Sequence, residues 1–270
     1  MVLSLPFLRG KKYRWEPMQV SIESLSVSYG KRTVLKDLHL TINQIGTVTL
    51  LGSSGAGKST FLRVLSGLPK RNGQRINGLV SIDGQSPRDF VDSGSIGFMF
   101  QEPSLLPHLT VAENIRLPLE LRGSDPAYAE HLISRVGLSK YRDHLPRDLS
   151  GGMKTRVALA RTLAPQPRLI LLDEPFSSLD VAWRFRLYRE LADLQSEIPT
   201  ITILVTHDIQ EALLLSNRIL VLGASGGFVR DFEITKSRPR IFSSDPVGNI
   251  QDEFRELHNY FISEKSDSTS

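Results

Sequence analysis

The stretch Gly52-Ser53-Ser54-Gly55-Ala56-Gly57-Lys58-Ser59-Thr60 has the pattern G-x-x-x-x-G-K-[ST]. It follows the apolar run 45–51, which predicts a strand, and it precedes a segment that is predicted to be helical. In such a loop the glycines let backbone N–H groups turn toward phosphates, the lysine adds positive charge, and the serine hydroxyl reaches Mg²⁺. The N-terminus of the following helix adds a partial positive charge. The sequence therefore predicts a site for a nucleoside triphosphate.

Composition and charge are those of an ordinary folded protein. The 270 residues suit either one large α/β domain or a domain with a small appendage. The net charge is +4 and the basic residues are mostly scattered, which gives little weight to a nucleic-acid partner. The sequence contains no cysteine, so disulfides and thiolate metal sites are excluded. No apolar run approaches the ~18 to 20 residues of a membrane-spanning helix, so we expect any membrane role to come through a partner.

Two kinds of strand are predicted. Segments 19–29 and 34–42 alternate apolar and polar residues, which is typical of half-exposed antiparallel strands. Segments 48–51, 169–172 and 201–205 are short and apolar, which favours buried strands of a parallel sheet. Ligands bind at the carboxyl ends of such strands. The phosphate loop, Asp173-Glu174 and Thr206-His207-Asp208 follow these three strands, so we expect them to lie close together.

The remaining pattern predicts a helical insertion and a C-terminal appendage. Candidate helices span 110–122, 126–136 and 151–164, and segments 219–222 and 227–234 resemble a late hairpin. A short helix is predicted at 252–261, followed by a frayed tail. Residues 1–17 are interpreted as a disordered extension or as an upstream start.

A pair of carboxylates follows the predicted strand at 169–172. Asp173 has the chemistry to hold Mg²⁺, and Glu174 the chemistry to polarise an attacking water. The alternative interpretation of Glu174 is a helix-capping or solvated residue.

A second phosphate site is predicted at Ser150-Gly151-Gly152. A hydroxyl and two bare glycine N–H groups stand there at a predicted helix N-terminus. One chain has no evident use for two such sites.

With the preceding Leu149, this turn resembles the Leu-Ser-Gly-Gly-Gln signature of the ATP-binding cassette (ABC) family. The resemblance covers about residues 19–235 and implies a P-loop NTPase core with a parallel sheet, an antiparallel β-subdomain and a helical signature subdomain at about 102–165. It also implies that two cassettes pair head to tail, so that the Lys58 loop of one and the Ser150 turn of the other close on the same ATP.

The resemblance assigns further roles. It implies that Tyr29 stacks on adenine, Gln101 senses Mg²⁺ and the attacking water, Asp180 belongs to a dimer-communication loop, and His207 contacts the γ-phosphate. One position departs from the family pattern, because Met153 replaces the usual glutamine. We expect this change to alter packing at the signature more than ATP contact, with an effect on the hydrolysis rate.

Three functions compete at this stage: the ATPase of an importer, that of an exporter or membrane-remodelling complex, and a soluble non-transport ATPase. The segment between Gln101 and Leu149 is too short for the coiled-coil insertion of repair ATPases, which disfavours the third. The segment 236–270, with Arg238-Pro239-Arg240, Asp245 and a predicted amphipathic helix, resembles the C-terminal extension of nitrate, sulfonate and taurine importer ATPases. The alternative interpretation is a solvated basic linker with a docking helix. The importer interpretation implies a peripheral protein at the cytoplasmic face of the membrane. Its expected partners are a second cassette, a permease and a solute-binding protein, and no nucleic acid.

Overall fold

The computed structural model describes residues 18–197, 200–234, 255 and 257–259. In chain order its strands are β1 (Val20–Tyr29), β2 (Arg32–Ile42), β3 (Gly46–Leu51), β4 (Gln74–Ile82), β5 (Ile96–Met99), β6 (Leu169–Asp173), β7 (Ile201–Thr206), β8 (Arg218–Leu222) and β9 (Phe228–Glu233). Its α-helices are α1 (Lys58–Leu65), α2 (Pro87–Asp92), α3 (Val111–Leu121), α4 (Tyr128–Arg135), α5 (Gly151–Leu163), α6 (Val181–Glu197) and α7 (Ile209–Leu215). Within these ranges no helix is both long and apolar enough to cross a lipid bilayer.

The larger sheet positions the phosphate loop. Its six strands lie in the order β5-β6-β7-β3-β8-β9, all parallel except the β8–β9 pair. Every residue of β6 and β7 is buried, as expected of parallel strands covered on both faces. The predicted parallel strands and the predicted C-terminal hairpin are therefore confirmed. Because β6, β7 and β3 are adjacent, their polar carboxyl ends meet at one edge.

The smaller sheet is antiparallel, with the order β2-β1-β4. Strands β1 and β2 match the predicted alternating segments, but the alternation in β1 breaks at a bulge where Ser24 has φ 50°. Gly78 of β4 packs against this bulge, and a Cβ at Gly78 would lie 2.4 Å from the Ser24 carbonyl oxygen. The sequence analysis missed β4, since all its residues but the last are exposed or half-buried and Asn77-Gly78 is typical of a turn.

The helical insertion contains α3, α4 and α5 at the predicted places. Helix α3 begins with a capping box, in which the side chains of Thr110 and Glu113 each bond the other residue's backbone N–H. Asn114, which is fully buried, accepts a hydrogen bond from Leu106 N and donates to the carbonyl oxygens of Leu106 and Leu109. These bonds hold the segment that follows Gln101 against α3.

Little of the predicted C-terminal extension is described. Of the helix predicted at 252–261, residues 255 and 257–259 are described, and all four are helical. Leu257 is 1% exposed and belongs to an apolar cluster with Leu51, Ala212, Leu213, Ile219, Val221 and Ile234. The rest of the extension and the predicted disordered N-terminus 1–17 lie outside the described residues.

Candidate nucleotide-binding site

The phosphate loop joins β3 to α1. Gly55 and Gly57 have φ of 83° and 108°, a left-handed backbone that glycine adopts without strain. A Cβ at Gly57 would lie 2.8 Å from side-chain carbons of Val34 and Leu35, so the loop passes close to β2 only because this residue is glycine. Helix α1 begins at Lys58 without a side-chain cap. Its first N–H groups therefore have no side-chain acceptor, as an anion site requires.

Lys58 is the buried cation of this loop. Its side chain is 5% exposed, and Nζ donates to the carbonyl oxygens of Gly52 and Ser53, each at 2.9 Å. Burial lowers the pKa of Lys58, and the negative charges of Glu174 and Asp173 oppose this effect. The ammonium group is thus held by loop carbonyls at the place where phosphate oxygens are expected.

Ser59 and Asp173 provide a pair of oxygen atoms beside Lys58. Ser59 Oγ donates to Asp173 Oδ1 at 3.1 Å, and Asp173 is the buried last residue of β6. Burial raises the pKa of Asp173, and the hydrogen bond from Ser59 opposes the rise. The described residues contain no cluster of three or more His, Cys, Asp or Glu side chains suited to a metal. A single carboxylate with a hydroxyl fits Mg²⁺, which takes most of its remaining ligands from phosphates and water.

Three predicted residues converge on Glu174, which is 14% exposed. Its Oε1 lies 3.2 Å from His207 Nδ1 and 4.0 Å from Lys58 Nζ, and its Oε2 accepts a hydrogen bond from Gln101 Nε2 at 3.3 Å. The backbone of Glu174 has φ 46°, and its N–H donates to Val205 O at 3.0 Å. The turn after β6 is therefore fixed to β7 while the carboxylate faces Lys58, Gln101 and His207.

The signature turn lies at the start of α5. Ser150 is its N-cap and accepts a hydrogen bond from Met153 N at 3.3 Å, and Ser150 and Gly151 are exposed. A Cβ at Gly151 would meet nothing within 4 Å, so this face of the turn is open. No hydrogen bond or ion pair recorded for the described part of the chain joins residues 150–152 to the phosphate loop.

Two further predicted residues lie apart from Glu174. Tyr29 ends β1 and is half-buried, with a buried hydroxyl that has no hydrogen-bond partner. Asp180 is exposed, and its Oδ1 accepts a hydrogen bond from Trp183 N at 3.0 Å at the start of α6. The other predicted cofactor contacts, Ser53, Ser54, Ala56 and Thr60, lie in the phosphate loop and the first turn of α1.

Comparison with known proteins identifies this arrangement. The family model described as ABC transporter matches residues 35–177. The chain belongs to the ABC transporter family. The aliphatic sulfonates import ATP-binding protein SsuB 1 of Xanthomonas axonopodis pv. citri (strain 306) is 44% identical over 220 residues, covering 78% of this chain and 84% of that protein. The probable sulfate/thiosulfate import ATP-binding protein CysA of Chlorella vulgaris is 40% identical over 210 residues, covering 76% and 87%.

A solved structure agrees with the fold. The ATP-binding cassette MJ0796, in a dimeric post-hydrolysis state bound to ADP and Pi, superposes with a TM-score of 0.72 and 31% sequence identity. The match covers 81% of this chain and all of that one. The predicted ABC ATPase fold is confirmed, and this chain is the ATP-binding, ATP-hydrolysing subunit of an ABC importer.

The ABC signature of this chain departs from the family pattern at Met153, which is partly buried and packs against the hydrophobic core of the helical segment. This position agrees with the expectation that the change acts on packing. The sequence analysis also missed Glu211, a buried acid that accepts a hydrogen bond from Thr206, the residue before His207. The one signal available was an acidic residue directly before the apolar run 212–215.

Proposed function

We propose that this ABC ATPase hydrolyses ATP at Glu174 and that the reaction drives import of a small sulfur oxyanion. The observation that carries the catalytic part is the convergence of Lys58, Gln101 and His207 on one carboxylate. Such convergence holds a base in place and leaves a polar pocket for water and a γ-phosphate.

Each residue then has a defined task. Glu174 accepts a proton from the water whose oxygen bonds to the γ-phosphorus, while the bond from that phosphorus to the β–γ bridging oxygen breaks and ADP leaves. Gln101 and His207 orient the carboxylate, and Lys58 balances negative charge on the phosphates. Ser59, Asp173 and Gln101 are the proposed Mg²⁺-binding residues. The cation, when bound, supplies further charge neutralisation.

A second copy of the chain completes the site in this proposal. The exposed hydroxyl and N–H groups at Ser150, Gly151 and Gly152 would receive the γ-phosphate of ATP held by the partner's Lys58 loop. Asp180 lies next to this contact, and Tyr29 stacks on adenine. Support comes from the dimeric state of the similar cassette bound to ADP and Pi, and from the open face of the signature turn.

The proposed partners and location follow from the importer role. We infer a domain organisation with an ATPase domain at 19–235 and extensions at 1–18 and 236–270. The ATPase domain would lie at the cytoplasmic face of a membrane and contact a permease through the segment 102–109, which Asn114 fixes to α3. A solute-binding protein would deliver the solute. The names of two similar proteins, for aliphatic sulfonates and for sulfate/thiosulfate, support a sulfur oxyanion.

The catalytic proposal is tested with Glu174→Gln, which keeps the side-chain shape and removes the base. We expect ATP turnover to fall by about 10²- to 10⁴-fold, while ATP affinity stays within about twofold. ATP should also shift the variant to a dimer in size-exclusion chromatography with light scattering. The control is Glu23→Gln on the exposed face of β1. Unchanged turnover in Glu174→Gln would remove Glu174 as the base.

The transport proposal needs a separate measurement. The chain is co-expressed with its membrane subunits and the complex is reconstituted in proteoliposomes together with the solute-binding protein. Uptake of labelled alkanesulfonate and sulfate is then measured with ATP on the side of the ATPase. Uptake of either anion that stops in Glu174→Gln supports the proposal. ATP-driven efflux, or uptake of neither anion, contradicts it.

A further inference from the structure

Glu211, on the helix that follows His207, is a buried acidic residue that the proposed mechanism does not use. Glu211 on α7 is 4% exposed, and its Oε2 accepts a hydrogen bond from Thr206 Oγ1 at 2.6 Å. Its Oε1 lies 3.9 Å from Arg184 Nε, and the hydroxyl of Tyr188 also hydrogen-bonds this carboxylate. Burial raises the pKa of Glu211, an effect that the bonds from Thr206 and Tyr188 oppose. A buried carboxylate is retained at such a cost only where several partners hold it.

The partners of Glu211 lie on both sides of His207 in the chain. Thr206 Oγ1, which donates to Glu211, also accepts a hydrogen bond from Asp208 N at 3.0 Å. Asp208 Oδ1 accepts from Gln210 N at 2.8 Å and from Glu211 N at 3.2 Å, which caps α7. The backbone around His207 is therefore fixed before and after the histidine. Its imidazole is 55% exposed and depends on this backbone to reach Glu174.

Helix α6 also contacts Asp208 and Glu211, through Arg184. Arg184 Nη1 donates to Asp208 Oδ2 at 3.4 Å, while the buried Nε of Arg184 has no hydrogen-bond partner and lies close to Glu211. Tyr188 is buried one turn further along α6. Helix α6 begins directly after Asp180, so the cluster joins the His207 turn to the helix that starts at the Asp180 loop.

We propose that Glu211 is a positioning residue for ATP hydrolysis, which acts through Thr206 and Asp208 to hold His207 against Glu174. This inference rests on the role proposed above for His207. It goes beyond that role because it attributes the position of the His207 side chain to two buried contacts of Glu211, the hydrogen bond from Thr206 and the ion pair with Arg184. Loss of the Thr206 hydroxyl removes one hydrogen bond to Glu211 and one acceptor for Asp208 N, without touching nucleotide or water.

The test is a double-mutant cycle between Thr206→Val and His207→Ala. Valine has nearly the shape of threonine, so the variant tests the hydroxyl. We expect Thr206→Val to lower kcat by about 10-fold with KM for ATP within about twofold, and Thr206→Ser to restore most of kcat. In the His207→Ala background, Thr206→Val should change kcat by less than about twofold, because residues that act as a unit are not additive. Glu211→Gln should behave as Thr206→Val does.

Thr202→Val is the matched control, since Thr202 is a fully buried threonine on the same strand. We expect it to leave kcat within about twofold. Equal losses from Thr206→Val in the wild-type and His207→Ala backgrounds would mean a general structural effect and overturn the inference. If His207→Ala lowers kcat and Thr206→Val does not, this inference alone fails. If His207→Ala leaves kcat unchanged, both the inference and the proposed role of His207 fail.

Discussion

At the scale of single residues, the phosphate loop contains two glycines that both have a positive φ but have different surroundings. Gly55 and Gly57 both have positive φ, but a Cβ at Gly55 would meet nothing within 4 Å, whereas one at Gly57 would meet Val34 and Leu35. Comparing substitutions at the two positions therefore distinguishes the effect of backbone strain from that of close packing against β2.

We predict that Gly57→Ala destabilises the fold more than Gly55→Ala does. Alanine in the left-handed region costs about 1–2 kcal/mol at either position. Overpacking adds about 1–3 kcal/mol at Gly57 alone. Urea unfolding in the absence of nucleotide measures the difference. Equal midpoints for the two variants would contradict the packing argument.

Site residues could be predicted from the sequence where they follow a buried strand. Lys58, Asp173 and His207 each follow a short apolar run, and parallel strands bring such ends together. Glu211 was not predictable, because its burial depends on Arg184 and Tyr188 of a helix that is distant in sequence. An acidic residue directly before an apolar run does not by itself show that the acid is buried.

At the scale of elements, α5 is joined to the Asp180 loop and α6 by two contacts. Thr155 Oγ1 and Ser178 Oγ form a hydrogen bond of 2.7 Å. The Arg156 guanidinium lies 3.6 Å from the centre of the Trp183 ring, and Arg156 Nη1 donates to Val136 O at 2.8 Å. The signature helix, the end of α4 and the start of α6 therefore meet at one buried cation.

The two arginines near Trp183 allow the effect of a buried cation on stability to be compared with that of an exposed one. Arg156 is buried, whereas Arg186 is exposed and lies 4.8 Å from the same ring. We expect Arg156→Ala to lower the free energy of unfolding by about 2–4 kcal/mol, through the lost hydrogen bond and the desolvated cation–π contact. Arg186→Ala should cost less than about 1 kcal/mol. Chemical denaturation of both variants measures this, and similar losses would show that burial of Arg156 contributes nothing.

Elements were predictable where local pattern and environment agree. The apolar runs of β3, β6 and β7 and the capped helices α3 and α5 were found in this way. Strand β5 was missed because it has four residues and contains Gly97, which packs against α5 so closely that a Cβ would lie 2.8 Å from Thr162 O. Gly97 is required by a contact with a residue distant in sequence, and such a contact cannot be predicted from the local sequence pattern.

At the scale of the whole molecule, a C-terminal residue joins the core that supports the site. Leu257 shares an apolar cluster with Leu51, which directly precedes Gly52, and with Ala212 and Leu213 on the helix that follows His207. The sequence showed an amphipathic segment there but not the surface that it would contact. The C-terminal extension therefore contributes to the same core as two of the segments that bear site residues.

We predict that Leu257→Ala destabilises the ATPase domain although it lies 197 positions (257 − 60) beyond the end of the phosphate loop in the sequence. A buried leucine replaced by alanine leaves a cavity and costs about 2–5 kcal/mol. Asn259→Ala is the control, because Asn259 is exposed two residues away and should change stability by less than about 0.5 kcal/mol. Urea unfolding followed by tryptophan fluorescence measures both variants. Because Leu51 and α7 are in the cluster, ATP turnover of Leu257→Ala should fall at temperatures where the wild type remains active. A Leu257→Ala variant as stable as Asn259→Ala would mean that the extension is not part of this core.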